Sequence, residues 1–210
     1  MNKAFYNLDE EKRQKIINAG LLEFSSHGFS RSSTNRIVAD ASIGKGMLFY
    51  YFDNKLGLFK FLVDYSLEFI KTYYFKQIDM EEKDVFERLT KQTKIKAEMF
   101  KKHPEMSKFL SKVLLEASDH KHISKAQQDF IIQLQKKVEI NLYKDIDTSL
   151  FREDLDIEQA INIIRYSIIG FGESLKGRVT QDMIEDNNYD AFYEEYDLLI
   201  KEMRKIFYKG

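Results

Sequence analysis

A single proline, Pro104, stands in a chain of 210 residues of which 32% are charged. Proline breaks helices by removing an amide donor and clashing with the turn before it, so a chain this poor in proline has to end its helices by capping. The apolar residues point the same way. They recur at intervals of three and four, the period of one face of an α-helix, while the strict alternation of a half-buried strand is scarce. The spacing predicts an all-α fold of about nine helices, near residues 9–26, 34–41, 45–51, 55–78, 81–102, 104–117, 124–146, 156–175 and 189–208. Pro104 then opens the sixth of them, at a helical position where its missing N–H would have had no partner anyway.

Composition narrows what such a bundle can do. With 43% apolar residues the chain can bury a sizeable core unaided, and with no cysteine it has no disulfide scaffold, thiolate metal site or cysteine nucleophile. The opening MNKAFYNLDEEKRQK lacks the apolar run of a signal peptide, and no stretch approaches the ~18 uncharged apolar residues of a membrane span. A cytoplasmic protein without membrane contact is expected. The net charge is −1 but is unevenly divided: residues 1–60 carry nine Lys/Arg against six Asp/Glu, a balance of +3 that leaves −4 for the rest. A basic first quarter on an acidic body points to nucleic acid at the N-terminal end.

The local signals in that quarter are specific. Asp9, Glu10 and Glu11 fall in the first turn of the first helix, where acids complement the helix dipole, and Ile16, Ile17, Gly20, Leu21 and Phe24 make its apolar face. Gly28 can take the left-handed conformation that closes a helix, and Phe29 can fold back onto the same face. Ser33 and Thr34 offer hydroxyl caps for a second, short helix with Ile37, Val38 and Ala41 inward. Ser42-Ile43-Gly44 breaks the chain before a third short helix, and Asp53-Asn54 caps a longer fourth. Two short helices joined by a tight turn and braced by a longer one outline a helix-turn-helix unit. Other readings of SIGKGMLFYYFDNK, residues 42–55, fit less well. A buried strand suits four adjacent aromatics but leaves the flanking short helices without a partner. A phosphate loop has the wrong glycine spacing, and Met47 stands where a magnesium-binding hydroxyl belongs.

The run KIINAGLLEFSSHGFSRSSTNRIVADASIGKGMLFYYFDNKLGLF, residues 15–59, closely resembles the DNA-binding region of the tetracycline-repressor (TetR) family of bacterial transcription regulators. Order and spacing match at Ala19, Phe24, Gly28 and Phe29 and again through residues 42–55. The resemblance implies a helix-turn-helix domain at 1–54 and a ligand-binding and dimerisation domain at 55–210. It implies a homodimeric repressor that reads a palindromic double-stranded operator and is released by a small-molecule inducer, with no further cofactor. A helix in the major groove reads base edges from its N-terminal residues while nearby hydroxyls, amides and lysines grip phosphates. That places Lys45, Gly46 and Tyr51 at the groove, with Leu48 and Phe52 in the domain core. Met47 stands where the family usually has Thr and Phe49 where it usually has Tyr, so two hydroxyls are missing. Lys55 matches the family's phosphate-binding lysine, Ser33 and Thr34 match its backbone contacts, and Asn35 and Arg36 can reach bases or phosphates from the same side.

Beyond residue 60 the chain is recognisable only as helices. Tyr65, Phe69, Tyr73, Phe100, Phe109 and Phe130 are candidates to line an effector pocket, although aromatics at helical spacing also build cores. Arg165 borders the apolar stripe of the eighth helix and therefore needs an anionic partner, either a carboxylate of this chain or one on a ligand. Gly170, Gly172 and Ser174 would let helices approach closely, and the resemblance makes the last two long helices the dimer interface, with Ile168, Phe171, Leu175, Leu199 and Met203 in or near it. His103, His120 and His122 have no metal-ligand spacing, and an enzyme reading finds no triad, metal pattern or nucleotide loop. A helical adaptor that binds another protein is the remaining alternative.

Overall fold

Capping and apolar periodicity between them account for nearly every helix of the computed structural model, which describes residues 3–79, 81–115 and 120–209. Among these residues lie eleven α-helices. They are α1 (Lys3–Tyr6), α2 (Glu10–Arg31), α3 (Thr34–Asp40), α4 (Lys45–Phe52), α5 (Lys55–Gln77) and α6 (Val85–Lys102), then α7 (Pro104–Leu115), α8 (Lys125–Tyr143), α9 (Ile157–Lys176), α10 (Gln181–Asp186) and α11 (Asp190–Phe207). No strand occurs among the described residues; a lone antiparallel bridge joins Phe151 to Tyr208. The all-α expectation holds, and the nine expected helices correspond to all but the short α1 and α10. The expected continuation of the sixth helix to residue 117 lies outside the described residues.

Asp156 and Ser124 cap where the sequence puts them, Asp9 stands one position before the turn expected to hold it, and Thr180 caps the unexpected α10. Asp9 accepts from the Lys12 N–H at 2.8 Å, Asp156 from Gln159 at 3.1 Å and Thr180 from Met183 at 3.2 Å. Ser124 and Gln127 cap α8 reciprocally, each side chain accepting from the other's N–H, at 3.2 and 2.9 Å. At Gly28 the backbone turns to φ 65°, so α2 kinks there and resumes for one last turn.

The chain divides into two compact units, residues 1–73 with 100–132 and residues 74–99 with 133–210. In the first, α2 packs along α7 and against α3, and the core gathers Ile16, Phe24, Ile37, Leu48, Phe52, Leu58, Phe59, Leu62 and Phe109. The Phe29 ring returns onto Phe24 and Phe59 with centroids 6.3 and 5.2 Å away. The Gln127 amide pins the start of α8 to α5, donating to the Lys60 carbonyl at 2.8 Å and the Asp64 carboxylate at 2.7 Å. The second unit is built on Val85, Phe86, Leu89, Phe151, Ile164, Ile200 and Phe207, with α9 against α11. Its buried Arg88 donates to the carbonyls of Asn141 and Leu142 at 3.2 and 3.4 Å and to that of Lys144, closing the C-terminal end of α8.

Candidate nucleic-acid interface

Residues 41–44 make the turn between α3 and α4. Ser42 takes a positive φ of 54° there, and the Ile43 N–H donates to the Val38 carbonyl at 3.0 Å. In α4, Leu48 and Phe52, one turn apart, are buried in the first unit's core, which fixes the rotation of the helix. The opposite side is thereby turned to solvent: Lys45, Gly46 and Tyr50 are exposed, and Met47, Phe49 and Tyr51 are half-buried. Gly44 supplies no side-chain cap to α4, and a methyl group added at Gly46 would meet nothing within 4 Å. The start of the helix is a bare backbone surface open to a close-approaching partner.

The junction from α4 to α5 is tight. Asp53 at φ 62°, ψ −48° centres a three-residue turn in which the Asn54 N–H donates to the Phe52 carbonyl at 2.6 Å. Asn54 then caps α5 by accepting from the Gly57 N–H at 2.9 Å. A Cβ at position 57 would lie 2.0 Å from the Phe52 oxygen, so only glycine lets α5 begin there. Sequence reading passed over Gly57, because nothing in its neighbours announces a backbone approach.

The residues expected at the interface divide into two groups. Lys45, Gly46, Met47 and Phe49 line the outer side of α4, with the Lys45 Nζ 5.9 Å from the Phe49 ring, and Asn35 is exposed on α3. The others hold the domain together. Ser33 is the N-cap of α3, accepting from the Arg36 N–H at 3.5 Å, and Thr34 is the first helical residue rather than a cap. The Arg36 guanidinium binds Glu23, Nε to Oε1 at 3.0 Å and to Oε2 at 2.9 Å, and also reaches the Arg31 carbonyl at 3.1 Å. Lys55 donates to the carbonyls of Phe29 at 2.7 Å and Ser32 at 3.1 Å. The Tyr51 ring packs edge-on to Phe5 at 5.6 Å, and its neighbour Tyr50, 62% exposed, is the tyrosine turned outward. Tyr50 escaped the sequence reading because the motif ranks position 51, and the α1 that covers Tyr51 left no periodic signal.

Glu23 is 4% exposed and organises the α2–α3 link. It accepts the Ser33 N–H at 2.6 Å as well as Arg36, and its Oε2 lies 3.4 Å from the His27 Nδ1. Burial pushes its carboxyl up, but the Arg36 and Ser33 donors and the nearby His27 outweigh burial and hold it below its ordinary value.

The expected effector residues do not form one site. Tyr65 and Phe69 line an open cleft of about 650 Å³ in the first unit, with Leu21, Leu22, Asp40, His103 and Met106. Tyr73 stacks on Phe69 at 5.6 Å and stands 5.9 Å from the His103 ring. Phe109 is fully buried against Phe24 and Phe59 and belongs to the core, while Phe130 lies under Lys71 and Phe100 is half-buried. Arg165, in the second unit, pairs with Glu139 at 3.4 Å and lies 5.1 Å from the Tyr143 ring. Glu139 is the carboxylate beside it in its own chain.

Of the expected dimer residues, Met203 is buried in the second unit's core, and Ile168, Phe171 and Leu199 pack against that core from its margin. Leu175 is half-buried. The exposed apolar residues are their neighbours: Ile163, Tyr166 and Ile169 on α9, and Leu198 and Ile206 on α11. Gly170 and Gly172 face open space.

The fold and this site define a helix-turn-helix domain within an all-α chain. Residues 16–62 match the model of the bacterial regulatory proteins of the tetR family. Over those residues, which take in α3 and α4, the chain is similar to that family. Over 47 residues it is 34% identical to an Escherichia coli K12 protein described as "Probable acrEF/envCD operon repressor"; the match spans 22% of this chain and only 21% of that protein. Solved structures resemble it over nearly the whole length. A TetR family transcriptional regulator from Chloroflexus aurantiacus is 22% identical, with 100% of this chain and 99% of that one covered and a TM-score of 0.56. The TetR family regulator PfmR from Thermus thermophilus is 17% identical, with 94% and 98% covered and a TM-score of 0.61. At these identities the structural likeness speaks for the fold. Among the described residues no helix is long and apolar enough to cross a membrane.

Proposed function

We propose that this protein is a transcriptional regulator that binds double-stranded DNA through α3 and α4, as a homodimer, and represses until a small molecule releases it. One observation carries the reading: burial of Leu48 and Phe52 turns Lys45, Gly46, Met47, Phe49 and Tyr50 together to the outside of a family helix-turn-helix. A cation, bare backbone and aromatic edges on one short helix suit a groove walled by phosphates. Asn35 adds an amide from α3. Met47 offers an apolar contact, of the kind a thymine methyl accepts, where relatives offer a hydroxyl. The repressor direction draws support from the name of the Escherichia coli relative.

Residues 1–54 would carry DNA reading and residues 55–210 dimerisation and effector binding. The exposed apolar side of α9 and α11, with Ile163, Tyr166, Ile169, Leu198 and Ile206, supports a two-fold helical interface. The cleft lined by Tyr65, Phe69 and His103 is the effector site favoured among the described residues, with α5 carrying its occupancy to the DNA-reading helices. A cytoplasmic location and the absence of catalysis accompany this reading. The test is selection of bound fragments from random duplexes by the full chain. The expected product is one palindrome with half-sites about one helical turn apart, ~34–36 Å, or somewhat wider. Recovery of unenriched sequences, with no retention of duplex at low salt, would remove the proposal.

A further inference from the structure

The last turn of a helix leaves carbonyls without amide partners, and at the end of α2 those of Phe29, Ser30 and Arg31 are met by side chains. The Phe29 carbonyl accepts from the Ser32 hydroxyl at 2.7 Å and from the Lys55 ammonium at 2.7 Å. The Ser30 carbonyl lies 3.4 Å from the same ammonium, the Arg31 carbonyl accepts from Arg36 at 3.1 Å, and the Ser32 carbonyl accepts from Lys55 at 3.1 Å. Glu23 takes the Ser33 N–H that follows. The link between α2 and α3 is therefore held on its carbonyl side by Lys55 and on its amide side by Glu23.

We propose that Lys55 is a positioning residue, whose ammonium locks the α2–α3 link in place instead of lending its charge to a DNA phosphate. Geometry and electrostatics both support this assignment. The Lys55 Nζ also sits 4.7 Å from the centre of the Phe29 ring, so carbonyls and a π face surround it. Lys55 is the first residue of α5, at the positive end of that helix, which disfavours a cation. The negative end of α2 offsets the mismatch only while the ammonium stays on those carbonyls. Release to a phosphate would leave the carbonyls of Phe29 and Ser32 without this donor, on the segment that carries α3.

The inference rests on the DNA-binding reading only for its consequence, and the test separates the two. The full chain with Lys55→Met, which keeps the stem and removes the ammonium, is compared with wild type in thermal unfolding, in hydrogen exchange over residues 29–36, and in the salt dependence of binding to a labelled 30-base-pair mixed-sequence duplex. A locking role lowers Tm by at least about 4 °C, speeds exchange over that segment about tenfold or more, and leaves the slope of log K against log salt unchanged. A slope that falls by about 0.9 assigns Lys55 to a phosphate and overturns the proposal whatever the Tm. An unchanged Tm or unchanged exchange overturns it as well. Should Lys55→Met not fold, Lys55→Arg decides. A phosphate contact tolerates the guanidinium with Tm intact, and a lock does not, because a planar fork cannot direct its donors onto the same carbonyls. Failure of the wild type to bind duplex would overturn the regulator reading and leave the Tm and exchange tests standing.

Discussion

The two compact units leave different chemistry on their surfaces. In the first, Leu48 and Phe52 are drawn into the core and α4 shows the solvent a lysine, a glycine and a tyrosine. In the second, α9 and α11 keep a buried stripe and still expose Ile163, Tyr166, Ile169, Leu198 and Ile206. A surface of cations and aromatic edges matches a polyanion, whereas a row of exposed aliphatics matches another protein surface. One chain thus carries two unsatisfied faces, and they call for different kinds of partner.

The comparison can be broken first at its scaffold. Gly57→Ala puts a methyl 2.0 Å from the Phe52 oxygen and should cost about 3 kcal/mol or more, seen as a large loss of denaturant midpoint; a change below about 1 kcal/mol would mean the junction yields. Next comes the apolar face. If the proposed dimer forms through this face, Tyr166→Asp with Leu198→Asp should weaken self-association by at least about 2 kcal/mol and lower the sedimentation coefficient to that of a monomer, with Tm little changed. An unaltered sedimentation coefficient would place the interface elsewhere.

Glu23→Gln probes the link within the first unit and should cost about 1–2 kcal/mol. Its carboxyl is held below the ordinary value of 4.5, so the carboxylate's contribution is fully present above that pH and is lost as pH falls through the lower, folded value. The wild type should therefore lose stability in acid that the variant never had. Parallel stability curves would show that Glu23 does not titrate with folding. The smallest effect belongs to Lys45→Ala, which leaves Tm in place while the salt slope on a duplex falls by about 0.9. A change in Tm without a change in slope would give Lys45 a structural role in place of a DNA contact.

Helix positions were legible because the signals are local. Asp156 caps the helix it precedes in sequence, Ser124 does the same for α8, and Pro104 opens α7. The core side of α4 was legible as well, since Leu48 and Phe52 sit one turn apart. What the sequence could not supply was partner choice at long range. Nothing near Arg36 announces Glu23, thirteen positions earlier, and nothing near Lys55 announces the carbonyl of Phe29, twenty-six positions earlier. A basic residue in a motif looks alike whether it waits for a phosphate or already holds a helix end. On α9 apolar residues occur on both sides of the helix, so Ile168, Phe171 and Leu175 are partly buried while Ile163, Tyr166 and Ile169 are exposed, a division that spacing alone does not set. Phe109 looked like a lining residue for the same reason and proved to be core.

The outward ring of Tyr50 gives the molecule a spectroscopic handle. The chain has no tryptophan, so Tyr50→Trp would install a single indole at the most exposed aromatic position of α4, on a background of tyrosines alone. Its emission and its accessibility to a collisional quencher would report whether that helix lies in water or against a nucleic acid, without a label and in real time.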